Sequence, residues 1–400
     1  MKTEIISENI SRAAELIRSG ELVAVPTETV YGLAGNGLCA EAVESIYEVK
    51  GRPQVKPLSL MVPDAGAMGK YCANVPEQAY LLAERFWPGP LTVVLHSADC
   101  VPDIVRAGGA TVGLRCPDHE MTLKLLREVG LPLAAPSANP SGEPSPKTAQ
   151  EVSAYFSGKI SGIIDGGACT LGTESTIIDM SSTPYRILRQ GALSRESIEK
   201  TLTDAMTVVG ITGGTGCGKT TALRELESMG ALVIDCDAVY HELLASDTDM
   251  LRQLRERFPS AFEGGVLDRK KLGAIVFSDE SKLTELNGIT HECVLREVDE
   301  RLRSFAMNGG RLAALDAIAL FESGAASKCS FTVGVLADRE TRIQRIMQRD
   351  GISHEYASAR VKAQKPDEYF TENCTYVLRN DGTETEFIEK CKLFYKEVLT

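Results

Sequence analysis

The eight residues GGTGCGKT at 213–220 carry the most definite chemistry in this sequence. In the pattern GxxxxGK[ST], glycines let backbone N–H groups wrap a phosphate while the amino terminus of the following helix adds positive potential. Gly213, Gly214, Thr215, Gly216, Cys217 and Gly218 supply the cradle, and Lys219 reaches the outer phosphates. The Thr220 hydroxyl can ligate Mg²⁺ and Thr221 closes the ATP-binding run, so the expected ligand is ATP with Mg²⁺. Cys217 reads as a small-residue position rather than a nucleophile. The next apolar run ends in Asp235 and Asp237. Carboxylates at the carboxyl end of a neighbouring strand face the same crevice as the phosphates, and one of them can take a proton from an acceptor hydroxyl. The alternative is a helix cap or a solvated strand end. Arg342, Arg345 and Arg349, spaced three and four apart, share one helical face. Such a face is either solvated or part of a lid that closes over transferring phosphates.

A second constellation lies in the first half. KGRPQVKP places Lys50, Arg52 and Lys56 within seven residues, and later strand ends carry Thr111, Arg115, Ser137, Asn139, Ser145, Ser175, Thr176 and Arg189. Many hydroxyls and cations with few carboxylates describe a pocket for polyanions. No Ser-His-Asp or Cys-His order suggests acyl hydrolysis, and five scattered histidines give no metal cluster. From the residues alone, a catalytic pocket and a basic module that grips RNA or a nucleotide both remain open.

Elements must hold these groups. Over residues 3–200 short helical and strand patterns alternate: Ile10, Ala13, Ala14 and Ile17 predict a helix closed near Gly20, and a second helix ends near Gly51. LVAV, SLMV, LTVV, VGL, LPLAA, GIID and STIID read as strands. A polar helical stretch then runs into Met206 and TVVGIT, which puts a domain boundary at about 205 and predicts domains 1–204 and 205–400. The second opens strand, glycine loop, helix, strand. It continues mainly helical from about 238 to 308, with further parallel strands at LAALDAIALF (312–321) and FTVGVLA (331–337).

Composition bounds the rest. Four hundred residues with 43% hydrophobic and 24% charged residues predict two or three soluble globular domains. No apolar run approaches the roughly 18–20 residues of a bilayer span, and the amino terminus is polar, so a cytoplasmic chain with no membrane contact is expected. Eleven cysteines without a CxxC pair read as reduced thiols. A net charge of −12 repels bulk nucleic acid, so any tRNA contact is weak or indirect.

The motifs also carry two resemblances. VVGITGGTGCGKTT, GALVIDCDAVYHELL, LDRKKLGAIVFSDESKLTELNGITHECV, LDAIALFESG and RIQRIMQRDGIS make nearly all of 207–400 resemble dephospho-CoA kinase. The resemblance implies transfer of the ATP γ-phosphate to the ribose 3′-hydroxyl of dephospho-CoA. Gly214 to Thr220 would hold ATP and Mg²⁺, Asp237 would be the base beside Asp235, and Arg345 and Arg349 would belong to the lid. Residue-level alternatives are another small-molecule kinase, such as a nucleoside monophosphate kinase, or a P-loop regulator. The strand DAIALFE lacks the proline usual in that family, and KPDEYFTENCTYVLRN lacks an expected basic residue.

PTETVYGL, YEVKGRPQVKPLSL, FWPGPLTVVL, VGLRCPDH, LPLAAPSANPSGEPSP, IIDGGACTLGTESTIID and ILRQGALS make residues 5–200 resemble YrdC-like threonylcarbamoyl-AMP synthases. These join L-threonine, bicarbonate and ATP into threonylcarbamoyl-adenylate and pyrophosphate for tRNA modification, with a threonylcarbamoyl transferase complex as the implied recipient. By resemblance Lys50, Arg52, Lys56, Thr111, Ser137, Asn139, Ser145 and Arg189 contact ATP, and Thr29, Arg115, Ala135 and Ser175 contact threonine. Met61 stands where some relatives have histidine. The expected fold class is α/β: a YrdC-like mixed, twisted-sheet domain followed by a P-loop kinase-type parallel-sheet domain with helical lid and substrate regions.

Overall fold

The structure, a computed structural model, describes residues 2–399. One unit runs to Asp204 and takes in Met307–Gly309; the other holds Ala205–Ala306 and the chain from Gly310 on.

In the first unit, helix Ile10–Arg18 shows the mode of assembly. The Asn9 side chain caps it by accepting from the Arg12 amide at 3.2 Å. Ile10, Ala13, Ala14, Leu16 and Ile17 form its buried face, and Gly20 follows the Ser19 cap with φ 87°. That face packs on Leu125, Leu126 and Val129 of helix Glu120–Val129. Each fully buried Leu or Ile there contributes about 1.5–3 kcal/mol. Ten strands form one mixed sheet, in the order Glu4–Ile6, Gly162–Ile164, Val23–Val25, Gly32–Asn36, Leu133–Ala134, Ser59–Met61, Thr111–Arg115, Leu91–His96, Thr176–Asp179 and Arg186–Arg189. Strand Ser59–Met61 runs parallel to Thr111–Arg115 with Met61 opposite Arg115, and Leu91–His96 runs parallel to Thr176–Asp179 with Leu91 opposite Thr176.

The second unit is built on five parallel strands, ordered Leu232–Asp235, Leu312–Asp316, Thr207–Thr212, Phe331–Leu336 and Tyr376–Arg379. Val209, Ile211, Ala314, Val333 and Val335 fill its centre against Leu223, Leu226 and Phe387. The run 312–321, read from sequence as one strand, is a strand only to Asp316. Its neighbours end at Asp235 and Thr212, so a longer strand would leave its backbone groups without ladder partners. Helices Cys236–Ser246, Thr248–Arg257, Arg269–Val276 and Glu280–Met307 make the predicted helical region. A short hairpin, Phe262–Glu263 with Val266–Leu267, interrupts it; Gly264 and Gly265, at φ 56° and 89°, supply the left-handed pair that a two-residue turn demands. Among the described residues no helix is long and apolar enough to cross a membrane.

Because each unit has its own sheet and core, residues 1–204 and 205–400 expressed separately are predicted to give two soluble proteins with cooperative unfolding transitions. Failure of both fragments to show a transition by circular dichroism would contradict this division of the chain.

Candidate functional site

The second unit positions its phosphate loop between strand Thr207–Thr212 and helix Lys219–Ser228. Gly218 caps that helix at φ 99°, and a Cβ on Gly213 would collide with the Val335 carbonyl, so both positions demand glycine. The loop is braced from outside. Gln364 accepts from the Thr215 amide at 2.9 Å and donates to the Thr215 hydroxyl at 2.6 Å. Arg342, which is buried, donates to the Thr215 carbonyl at 3.1 Å and also to Gln364. Asn380 donates to the Cys217 carbonyl at 2.8 Å. Cys217 is fully buried, and burial pushes its thiol pKa up, as an inert packing residue requires.

The three arginines of helix Arg339–Asp350 therefore differ in use. Arg342 braces the loop. Arg345 donates to the Asn380 carbonyl at 3.1 Å and side chain at 3.2 Å, and with Arg349 it lines a pocket over Lys219 and Thr220. Arg360, which the sequence reading missed, completes the pocket. Arg349 and Arg360 both donate to Asp350, at 2.7 Å each, and the Arg349 guanidinium, with Arg360 behind it, holds that carboxyl down at about 2.

The strand ends bring the acids together. Asp235 accepts from the amides of Asp237 and Ala238 at 2.9 and 3.0 Å, so it caps helix Cys236–Ser246. Asp237 instead lies on the floor of a cleft of about 300 Å³ that also includes Tyr240, Phe277, His291 and Ala317. Partial desolvation there, and then the charge of Asp235, push the Asp237 carboxyl up. Asp316 pairs in register with Asp235 and lies 3.9 Å from the Lys219 ammonium. Burial raises its carboxyl to about 6 against the opposing pull of Lys219, with Asp235 and Asp237 adding repulsion.

In the first unit, Arg52, Arg115, Ala135, Ser137, Ser175 and Arg189 line one cavity. The parallel pairings above set Arg115 at the end of one strand and Ser175 just before another, where the Ser175 and Thr92 hydroxyls meet at 2.8 Å. Arg189 donates to the Ser175 carbonyl at 2.9 Å and pairs with Glu174. Ser145 joins through Glu174, to which its hydroxyl donates at 3.1 Å. Arg115 is paired with Glu28 at 2.7 Å, both side chains under a tenth exposed. Met61 packs into the cavity wall.

Other sequence-chosen groups lie outside that lining. The Lys50 ammonium is buried and donates to the carbonyls of Ser137 and Asn139, and desolvation brings its pKa down to about 8. These bonds tie it to the PSAN loop. Asn139 donates to Pro140 and Glu143 carbonyls at 2.9 and 2.6 Å, leaving its buried Oδ1 without a partner. Thr29 is buried against the Thr27 hydroxyl at 2.9 Å, Lys56 is exposed, and Thr111 starts the strand that Arg115 ends. Glu28 and Glu174 were missed; the signal was an acid directly beside a chosen hydroxyl, in TET and TES.

Comparison with known proteins finds matches for both halves. Residues 15–191 match the Sua5/YciO/YrdC family, described as telomere recombination, and residues 207–386 match the dephospho-CoA kinase family. The first half is similar to a threonylcarbamoyl-AMP synthase of Pyrococcus abyssi, 49% identical over 190 residues, covering 48% of this chain and 56% of that protein. The chain thus spans about half the length of the curated synthases it matches. The second half is similar to a dephospho-CoA kinase of Geobacter sulfurreducens, 36% identical over 183 residues, covering 45% of this chain and 93% of that protein. A solved structure of Pyrococcus abyssi Sua5 with L-threonine aligns over 84% of this chain and all of that one at 28% identity, with a TM-score of 0.49.

The buried pair gives a stability prediction. Glu28→Ala leaves the Arg115 guanidinium without its counter-charge and should lower the unfolding free energy of the first unit by about 3–5 kcal/mol, read by urea denaturation. A loss under 1 kcal/mol would show that solvent already compensates Arg115.

Proposed function

This chain carries a Sua5/YciO/YrdC domain fused to a second half that belongs to the dephospho-CoA kinase family, and from that premise we propose that it is a bifunctional ATP-using enzyme. The second half phosphorylates the 3′-hydroxyl of dephospho-CoA. The first half makes threonylcarbamoyl-adenylate and pyrophosphate from L-threonine, bicarbonate and ATP, feeding a tRNA-modifying threonylcarbamoyl transferase complex. The observation that carries the reading is the junction of two spaces in the second unit: a pocket lined by Lys219, Arg345, Arg349 and Arg360, beside a cleft floored by Asp237.

In the kinase half the loop amides and Lys219 hold the triphosphate, and the three arginines stabilise charge on the transferring phosphoryl group. Asp237, its pKa raised by desolvation, accepts the proton of the acceptor hydroxyl as the oxygen attacks. Thr220 lies exposed in the phosphate pocket, where its hydroxyl would hold Mg²⁺ beside the phosphates. When bound, Mg²⁺ supplies charge neutralisation of the phosphates.

In the synthase half Arg52, Arg115 and Arg189 face one cavity with the Ser137 and Ser175 hydroxyls. Their charge suits a reaction in which a carbamate attacks the α-phosphorus and pyrophosphate leaves, and holding three small reactants together is chiefly a matter of orientation. All eleven cysteines are unpaired, which fits work in the cytoplasm.

Arg52→Ala removes one of three guanidinium groups from that cavity and should cut threonine- and bicarbonate-dependent pyrophosphate release at least tenfold, while dephospho-CoA phosphorylation stays near normal. Unchanged synthesis would remove Arg52 from the nucleotide site. In the kinase half, Lys219→Ala should impair ATP use with any acceptor, including water. Asp237→Asn should still bind ATP and dephospho-CoA but turn over on the order of 10²-fold more slowly. A wild-type protein that prefers a nucleoside monophosphate, or an Asp237→Asn protein at full rate, contradicts the assignment.

A further inference from the structure

We infer that Glu174 is an internal counter-ion of the first unit's cavity: its carboxylate clasps Arg189 and Ser145 and is exchanged for a phosphate group when a nucleotide binds. The inference deepens the synthase reading of the first half and rests on it. Three arginines and one acid, Glu174, stand among the residues that line this cavity. The acid offers two oxygens, and both are taken. Oε2 pairs with Arg189 Nη1, and Oε1 accepts the Ser145 hydroxyl at 3.1 Å. Two oxygens of one anionic group, one on a guanidinium and one on a hydroxyl, are also what a phosphate presents. Burial pushes the Arg52 guanidinium pKa down, Tyr47 and Glu174 oppose that shift and Arg189 adds to it, so Arg52 shares the same electrostatic neighbourhood.

The geometry lets the carboxylate leave without disturbing the cation. Arg189 is held independently: its Nε and Nη2 donate to the Ser175 carbonyl at 3.1 and 2.9 Å, and Nη2 also reaches the Ser175 hydroxyl at 3.2 Å. Only the Nη1 edge of the guanidinium is committed to Glu174. The Glu174 backbone stays in place, because its carbonyl accepts the Ala192 amide at 2.9 Å and a Cβ on Gly191 would collide with that same carbonyl. Exchange therefore asks only for a turn of the Glu174 side chain about its own bonds. Exposure separates this pair from the one that Arg115 makes. Arg115 and Glu28 are 8% and 7% exposed, so parting them would strand a charge away from water. Arg189 and Glu174, at 40% and 37%, have solvent within reach, and a pair so exposed contributes little to the fold.

A cation engaged by its own carboxylate is open to a ligand only for the remaining fraction of the time, and apparent affinity falls by that fraction. Removing the carboxylate should thus tighten nucleotide binding. The test uses the full chain and follows amide hydrogen exchange in peptides covering 171–193 against ATP and, separately, inorganic pyrophosphate. Peptides over 213–220 report the kinase loop in the same sample. Glu174→Gln, which keeps the shape and removes the charge, should lower the half-saturating concentration of both probes at 171–193 by about threefold or more and leave 213–220 unchanged. Glu143→Gln, the same change of charge at an exposed position outside the cavity lining, should shift it by less than about twofold. In threonine- and bicarbonate-dependent pyrophosphate release, the KM for ATP should fall while kcat and the KM for L-threonine are kept. A carboxylate that positions Arg189 for catalysis predicts the reverse, a lower kcat with ATP bound no better. Glu174→Ala carries the comparison if the glutamine variant does not fold, and failure of both to fold would show an architectural residue and overturn the inference. A wild-type chain that ATP protects at 171–193 but that releases no threonine-dependent pyrophosphate overturns the synthase reading, while the exchange titration still decides the role of Glu174. A chain that neither probe protects there overturns both. Unchanged or weaker binding by a folded Glu174→Gln protein overturns the inference alone, as does an equal gain from Glu143→Gln.

Discussion

Positive charge that is to meet a polyphosphate must be held partly out of water before the phosphate comes, and it must neither collapse nor be neutralised while it waits. Both units meet this constraint by the same device: a cation receives a partial partner that fixes its place and leaves donors unused. Arg189 is held by Glu174 and the Ser175 carbonyl, Arg115 by Glu28, and Lys219 by a loop carbonyl and a carboxylate at longer range. In a medium of low dielectric an unpartnered guanidinium is costly, and one fully neutralised has little attraction left for a ligand.

The backbone supplies what side chains cannot. Parallel strands end together, so residues far apart in sequence arrive at one edge: Asp235 beside Asp316 in one sheet, Arg115 near Ser175 in the other. A lysine can take part in this work. Lys50 gives its ammonium to two carbonyls of the loop bearing Ser137, and the depressed pKa records the desolvation that placement entails.

The phosphate loop was legible in the sequence because its chemistry is local: strand, glycines, lysine and helix occur within twenty residues and nothing distant is needed to interpret them. The helices ending at Gly20 and Gly51 were legible for the same reason. Asp316 was not, because a single acid inside the apolar run 312–321 gives no local sign that the strand stops there; the stop is set by the lengths of its neighbours. Arg360 escaped because its approach to the pocket depends on packing of helix His354–Lys362 against the preceding one. Glu28 and Glu174 escaped because acids seem misplaced in a site for anions until the resting cations are considered. Among the three arginines at 342, 345 and 349, periodicity gave the shared face, but only the fold separates the buried brace from the two that face the pocket.

That brace has a mechanical corollary. Thr215 is gripped by Gln364 through both its amide and its hydroxyl and by Arg342 through its carbonyl, and these two residues lie at either end of the segment that carries Arg345, Arg349 and Arg360. The segment is therefore stitched to the loop at both ends, like a strap buckled twice, and cannot swing as a free flap on one hinge. Displacement of its arginines has either to bow the middle, around the left-handed Gly351, or to unbuckle Thr215 and slacken the phosphate loop. Entry of nucleotide and order in the loop are thereby coupled quantities.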